Sequence, residues 1–202
     1  MLRPALVLAV ALAGCGGHRR VLGSRPEAPE HLVIAKQLPA PHRISAKSLL
    51  PPVRSLAELR GLVGRRDKRA PFAVVSAWMR ELGHPITVST AEDLVAWAEE
   101  MRRVHDGAPE PGDLVVFDHA TGDAAFDLVA IAIARDDRGV TELVYVGGGV
   151  VRRGFLDASR PRLRRDGFGR VVNTYLRHGK RWPPKGTHYL AGELVSRVIR
   201  VR

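Results

Sequence analysis

His119 and Asp127 are the pair in this chain that is easiest to assign to a reaction. They bracket a small polar stretch, His119 to Ala125, between two apolar runs, Leu114 to Phe117 and Leu128 to Ala134. If those runs pair as a hairpin, an imidazole and a carboxylate face each other across it, as the base and its orienting acid do in a hydrolytic triad. The nucleophile would then be a hydroxyl, and the nearest candidate, Ser76, falls in mid-helix away from the helix N-terminus. The plainer alternative makes His119, next to Asp118, a surface histidine. His84, His105, His178 and His188 are scattered, with no pair at i, i+4 and no HExxH run, so no metal site is expected. Gly147-Gly148-Gly149 leads into a strand pattern and not into a helix, so it is a turn and not a phosphate cradle. No cofactor is expected.

Cys15 is the only cysteine in 202 residues. Before it stand a short basic start, an apolar segment from Pro4 to Ala11, and Leu12-Ala13-Gly14. That segment is far shorter than the roughly 20 apolar residues of a spanning helix. Its ending resembles a bacterial lipobox, which implies cleavage of residues 1–14 and acylation of Cys15. The expected location is then a bacterial envelope with the membrane as partner through the lipid. The outer membrane is favoured in a Gram-negative source, because Gly16 is not the aspartate that commonly retains lipoproteins at the inner one. An acylated Cys15 leaves no thiol for a nucleophile, a disulfide or a metal ligand. Residues 15–54, broken by Pro26, Pro29, Pro39, Pro41, Pro51 and Pro52, read as a tether.

The formal charge is +11, with 32 Lys+Arg against 21 Asp+Glu. Aromatics make up only 5% and no reading motif is present, so nucleic acid is not the expected partner. Anionic headgroups and wall polymers are the counter-charges an envelope offers. Arg152, Arg153, Arg160, Arg162, Arg164, Arg165 and Arg170 fall in one region of the chain. If they share a face they form an anion site of forked donors, with Arg152, Arg153, Arg160 and Arg164 as the ligand-binding candidates. Otherwise they are a solvated surface.

The elements that would position these groups begin at Ser55, which caps a helix with Glu58 three residues on. Pro71 opens a second helix whose stripe is Phe72, Val75, Trp78, Met79 and Leu82, ended by Gly83. Ser89 or Thr90 caps a third, with Leu94, Val95, Trp97, Ala98 and Met101 inward. Trp78 and Trp97, at helical spacing, read as core, and Glu92, Asp93, Glu99 and Glu100 as a solvated face. The Pro-Gly-Asp turn at 111–113 launches the central hairpin, each strand covered on both faces. Thr141 to Val146 and Val150 to Phe155 are further strands, Arg170 to Leu176 a last strand, and Tyr189 to Val201 a closing amphipathic helix. The expected class is α+β, one domain over 55–202.

This order of helices, followed by Pro109-Glu110-Pro111-Gly112-Asp113-Leu114-Val115-Val116-Phe117, resembles the NlpC-type and CHAP cysteine peptidases and amidases of bacterial cell walls over roughly residues 65–147. The resemblance implies a papain-like domain, with N-terminal helices packed on a central antiparallel sheet. It also implies a cysteine opening the second helix, a histidine opening the strand after the PGDL hairpin, and a polar orienting residue on the next strand. Those positions fall on Pro71, Leu128 and Tyr145, none of which can do that chemistry. The expectation is therefore an inactive module that binds or scaffolds at the wall, with peptidoglycan or an envelope protein as partner. The alternatives are an amidase or endopeptidase using His119, Asp127 and an unrecognised hydroxyl, and a structural lipoprotein docking on lipid or a partner through its arginine face.

Overall fold

A computed structural model describes residues 50–122, 124–176 and 188–201. Cys15, its leader and most of the tether lie outside the described residues, as do His178 and Trp182-Pro183-Pro184. The Ser55 hydroxyl accepts the Glu58 N–H at 3.4 Å and starts helix α1, Leu56–Gly61. Glu58 turns back one residue beyond the cap, to the Arg54 N–H at 2.8 Å. Helix α2, Pro71–Glu81, has no capping side chain; proline at its first position removes one of the N–H groups that the first turn leaves unpaired. Thr90 caps α3, Ala91–Glu100, accepting the Asp93 N–H at 3.1 Å.

The strands are β1 Val104–His105, β2 Leu114–Phe117, β3 Leu128–Arg135, β4 Thr141–Gly147 and β5 Val150–Leu156. They are followed by a single turn, α4 Ala191–Leu194, and by β6 Val195–Ile199. They form one antiparallel six-stranded sheet in the order β1-β6-β2-β3-β4-β5, and the chain is α+β. Alternation along the strands divides the core in two. Leu114, Val116, Val129, Ile131, Val144 and Val146 face Val74, Val75, Trp78 and Met79 of α2. Val115, Phe117, Leu128, Ala130, Leu143 and Tyr145 lie in the second cluster, with Leu156, Leu176 and Leu194. All four β2 residues are buried, so the central hairpin is covered on both faces as the apolar runs predict.

The structure corrects three expectations. Order begins before Ser55: Leu50 and Val53 are core, and the Val53 N–H is held by the Glu81 carboxylate at 2.7 Å. Tyr189 to Val201 is not a helix, since after α4 the β-branched Val195, Val198 and Ile199 extend into β6 between β1 and β2. Arg170 to Leu176 is not a strand but a turn-rich segment touching its neighbours through the isolated bridges Arg165↔Val171 and Tyr175↔Leu190. Between α1 and α2, Asp67 is buried in a fork with Arg69, whose hydrogen bonds lower the carboxyl's pKa.

Candidate functional site

The three positions that carry chemistry in the NlpC and CHAP families do not meet here. Pro71 is exposed at the start of α2. Leu128 and Tyr145, 2% and 3% exposed, sit in the cluster on the other side of the sheet. A slip of one residue swaps faces in a strand, and the neighbours that do face α2 are Val129, Val144 and Val146. In either register the position expected to hold an imidazole is aliphatic.

The His119–Asp127 pair is not formed. Asp127 instead accepts the N–H groups of Ala120, Thr121 and Gly122 and the Thr121 hydroxyl, all at 2.7–2.9 Å. Its lone pairs are thereby spent on folding the loop, and the Asp118 carboxylate adds a bond from the Phe126 N–H at 2.7 Å. His119 is exposed at φ +56°, and among the described residues only its backbone N–H is engaged, to the Ala124 carbonyl. Ser76 is buried, and its hydroxyl leans on the Ile86 carbonyl at 3.4 Å. Loop closure, not acid-base chemistry, explains why Asp127 stands where it does.

Two histidine-carboxylate pairs that side-chain spacing does not announce do exist: an exposed one, His188 Nδ1 with Glu193 at 3.3 Å, and a more buried one at His105. His105 Nε2 lies 3.2 Å from Asp113, which is 1% exposed and also accepts the Glu110 N–H. The pair ties the edge strand β1 to the Pro-Gly-Asp turn. Among the described residues there is no group of three His, Cys, Asp or Glu side chains placed to hold a metal.

The arginines divide. Arg160 belongs to a loop hub: the buried Asp157 accepts the Ser159 and Arg160 N–H groups, the Ser159 hydroxyl, and the Arg160 guanidinium at 2.7 Å. Burial raises the Asp157 pKa, but these hydrogen bonds outweigh it and hold the carboxyl below its usual range. Arg153 turns to Glu142, which also receives a two-point fork from Arg60 at 2.9 and 2.7 Å. Burial again opposes the charge on Glu142, and the two guanidiniums overcome it, so its pKa is lowered.

Arg152 and Arg164 are different, for neither has a carboxylate partner among the described residues. They line a cleft of about 350 Å³ with Tyr145, Arg153, Thr174 and Tyr175. Gly148 and Gly149, at φ +61° and +72°, make the two-residue turn that sets Tyr145 directly opposite Arg152. Arg152 folds back so that Nε donates to the Gly147 carbonyl at 3.0 Å. Arg164 lies over the Tyr175 ring at 4.2 Å. Glycine at 154 lets the Tyr145 ring lie against β5: a Cβ there would stand 3.1 Å from Tyr145 Cε1 and 3.8 Å from Thr174 Cβ. Burial pushes the Tyr145 pKa up while Arg152 draws it down, and the net direction is upward. So the structure brings three of the four candidate arginines together with Tyr145 and sets Arg160 apart. Tyr145 and Arg152 each stand three residues from the Gly148-Gly149 pair, and that spacing is the signal in the sequence.

No protein-family model, curated protein or solved structure matches this chain.

Proposed function

We propose that this chain is a bacterial envelope lipoprotein, anchored through acylated Cys15, whose NlpC/CHAP-like domain binds wall polymer without cleaving it. The outer membrane is the favoured site in a Gram-negative cell. The observation that carries this reading is chemical: Pro71, Leu128 and Tyr145 stand where a thiolate, an imidazole and its orienting group would be needed. The packing of α2 on an antiparallel sheet supports a papain-like arrangement. The cleft at Tyr145, Arg152 and Arg164 supports binding in place of hydrolysis.

The test incubates the chain from Gly16 onward with purified sacculi. Retention on the sacculi without released muropeptides is the expected result. Release that disappears in His119→Ala would establish the rival hydrolase. The anchor is checked separately, since Cys15→Ser should abolish fatty-acid labelling and free the protein from membranes.

A second reading, a structural lipoprotein lying on anionic lipid, is favoured by one observation. Phe168 is 80% exposed, with Arg138 and Arg170 guanidiniums 5.3 and 6.0 Å from its ring. Salt-sensitive binding to anionic vesicles, with none to sacculi, would select it.

A further inference from the structure

The geometry points to a phosphoryl-binding site in the cleft, built from the Tyr145 hydroxyl, the Arg152 and Arg164 guanidiniums and the Thr174 hydroxyl. The proposal rests on the reading of this cleft as the domain's ligand site and names the ligand class.

Tyr145 is the first ground. Tyr145 is only 3% exposed, yet its hydroxyl makes no hydrogen bond with any described residue. It is also not among the sealed polar atoms, where Trp78 Nε1 stands alone among the described residues. The hydroxyl therefore opens on the cleft that the ring lines, and a buried polar group without a partner is costly unless a ligand or solvent meets it.

The cations are the second ground. Arg152 uses only Nε internally, so its terminal N–H groups remain to donate. Arg164 is steadied by stacking on Tyr175 and spends no N–H on a described acceptor. Both side chains are thus held before any ligand arrives, which reduces the ordering cost of binding. Thr174 Oγ1 already accepts the Phe155 N–H at 2.9 Å, so its own hydrogen is left to donate into the cleft.

The charge selects among oxyanions. Glu142 satisfies Arg153 from within the fold, leaving at the cleft two guanidiniums that have no carboxylate partner among the described residues. A carboxylate brings one charge and two oxygens. A phosphoryl monoester brings about −1.5 to −2 and three acceptor oxygens, which matches two forks and two hydroxyls.

The chain from Gly16 onward, which retains every described residue, is titrated with inorganic phosphate at low ionic strength by calorimetry. Acetate and glycerol phosphate serve as parallel probes. Phosphate is expected to bind with Kd of about 0.1–1 mM and acetate at least tenfold more weakly. Arg152→Gln and Arg164→Gln should each weaken phosphate about tenfold or more, and Tyr145→Phe several-fold, with melting temperatures unchanged. Glycerol phosphate binding as tightly as phosphate assigns the site to an esterified phosphoryl group, and phosphate alone assigns it to the free ion. Acetate equal to phosphate, or phosphate binding indifferent to all three substitutions, overturns the proposal. Sacculus retention is scored in parallel. Retention without phosphate binding removes this inference and leaves wall binding standing, and the reverse outcome removes wall binding and leaves the phosphoryl site.

Discussion

Replacing Gly192 with alanine tests the packing of the sheet face that carries the arginine cleft. Gly192 is the second residue of α4, and a Cβ built on it falls 2.5 Å from Pro161 Cα, 2.9 Å from the Pro161 carbonyl oxygen and 2.8 Å from Asn173 Oδ1. Carbon atoms in contact sit at about 3.5–4.0 Å, so the chains must separate by roughly 1 Å. Neither neighbour yields easily. Pro161 is fixed in φ by its ring. Asn173 is wholly buried, accepting the Asp157 N–H at 3.0 Å and donating to the Arg160 and Leu163 carbonyls at 2.9 Å. Overpacking of this kind costs about 1–3 kcal/mol, which for a domain of this size lowers Tm by roughly 3–10 °C. The control is Gly61→Ala at the end of α1, where a Cβ meets nothing within 4 Å. Alanine favours a helix over glycine by about 0.5–1 kcal/mol, so this variant should melt at or slightly above wild type. Thermal unfolding followed by circular dichroism reads both. If Gly192→Ala melts with wild type, the close approach of α4 to the 157–173 loop is wrong.

Glu142→Gln should lower stability at neutral pH by about 1–2 kcal/mol, because the fork from Arg60 and the single contact from Arg153 lose their charged acceptor. Its folded pKa lies below the ordinary 4.5, so the native contribution is complete above that value and is lost as pH falls through the lowered one. The gap between variant and wild type should therefore close in acid melts, and a gap independent of pH would contradict the assignment. Asp127→Ala, which strips four bonds from the 118–127 loop, should cost about 1–3 kcal/mol and expose it to protease, whereas His119→Ala should leave the melting temperature unchanged. Equal effects from both substitutions would restore a functional link between the two residues.

Local rules carried far in this chain. Ser55, Pro71 and Thr90 announce three helix starts, and Trp78 fills the core at helical spacing. Leu114 to Phe117 and Leu128 to Ala134 pair as the hairpin that their β-rich runs imply. What failed depended on distant partners. Leu190, Leu194 and Val198 repeat at four-residue intervals, a helical signal that gave way because β1 and β2 together leave a slot for one more strand. The two-residue β1 is too short to have a period. Asp127 looked catalytic because its loop partners are backbone N–H groups, which no side-chain pattern reveals. Arg160 was grouped with Arg152 and Arg164 by proximity in sequence, and the Asp157 hub draws it elsewhere.

The insertion of β6 between β1 and β2 also bears on how the protein is made. A chain synthesised or exported from its N-terminus displays the hydrogen-bonding edge of β2, with four fully buried residues, until residues 195–199 arrive to cover it. Interruption before Val195 leaves the β2 edge open to other strands, so the cell that makes this protein must hold the nascent body apart from its copies until the final seam is sewn.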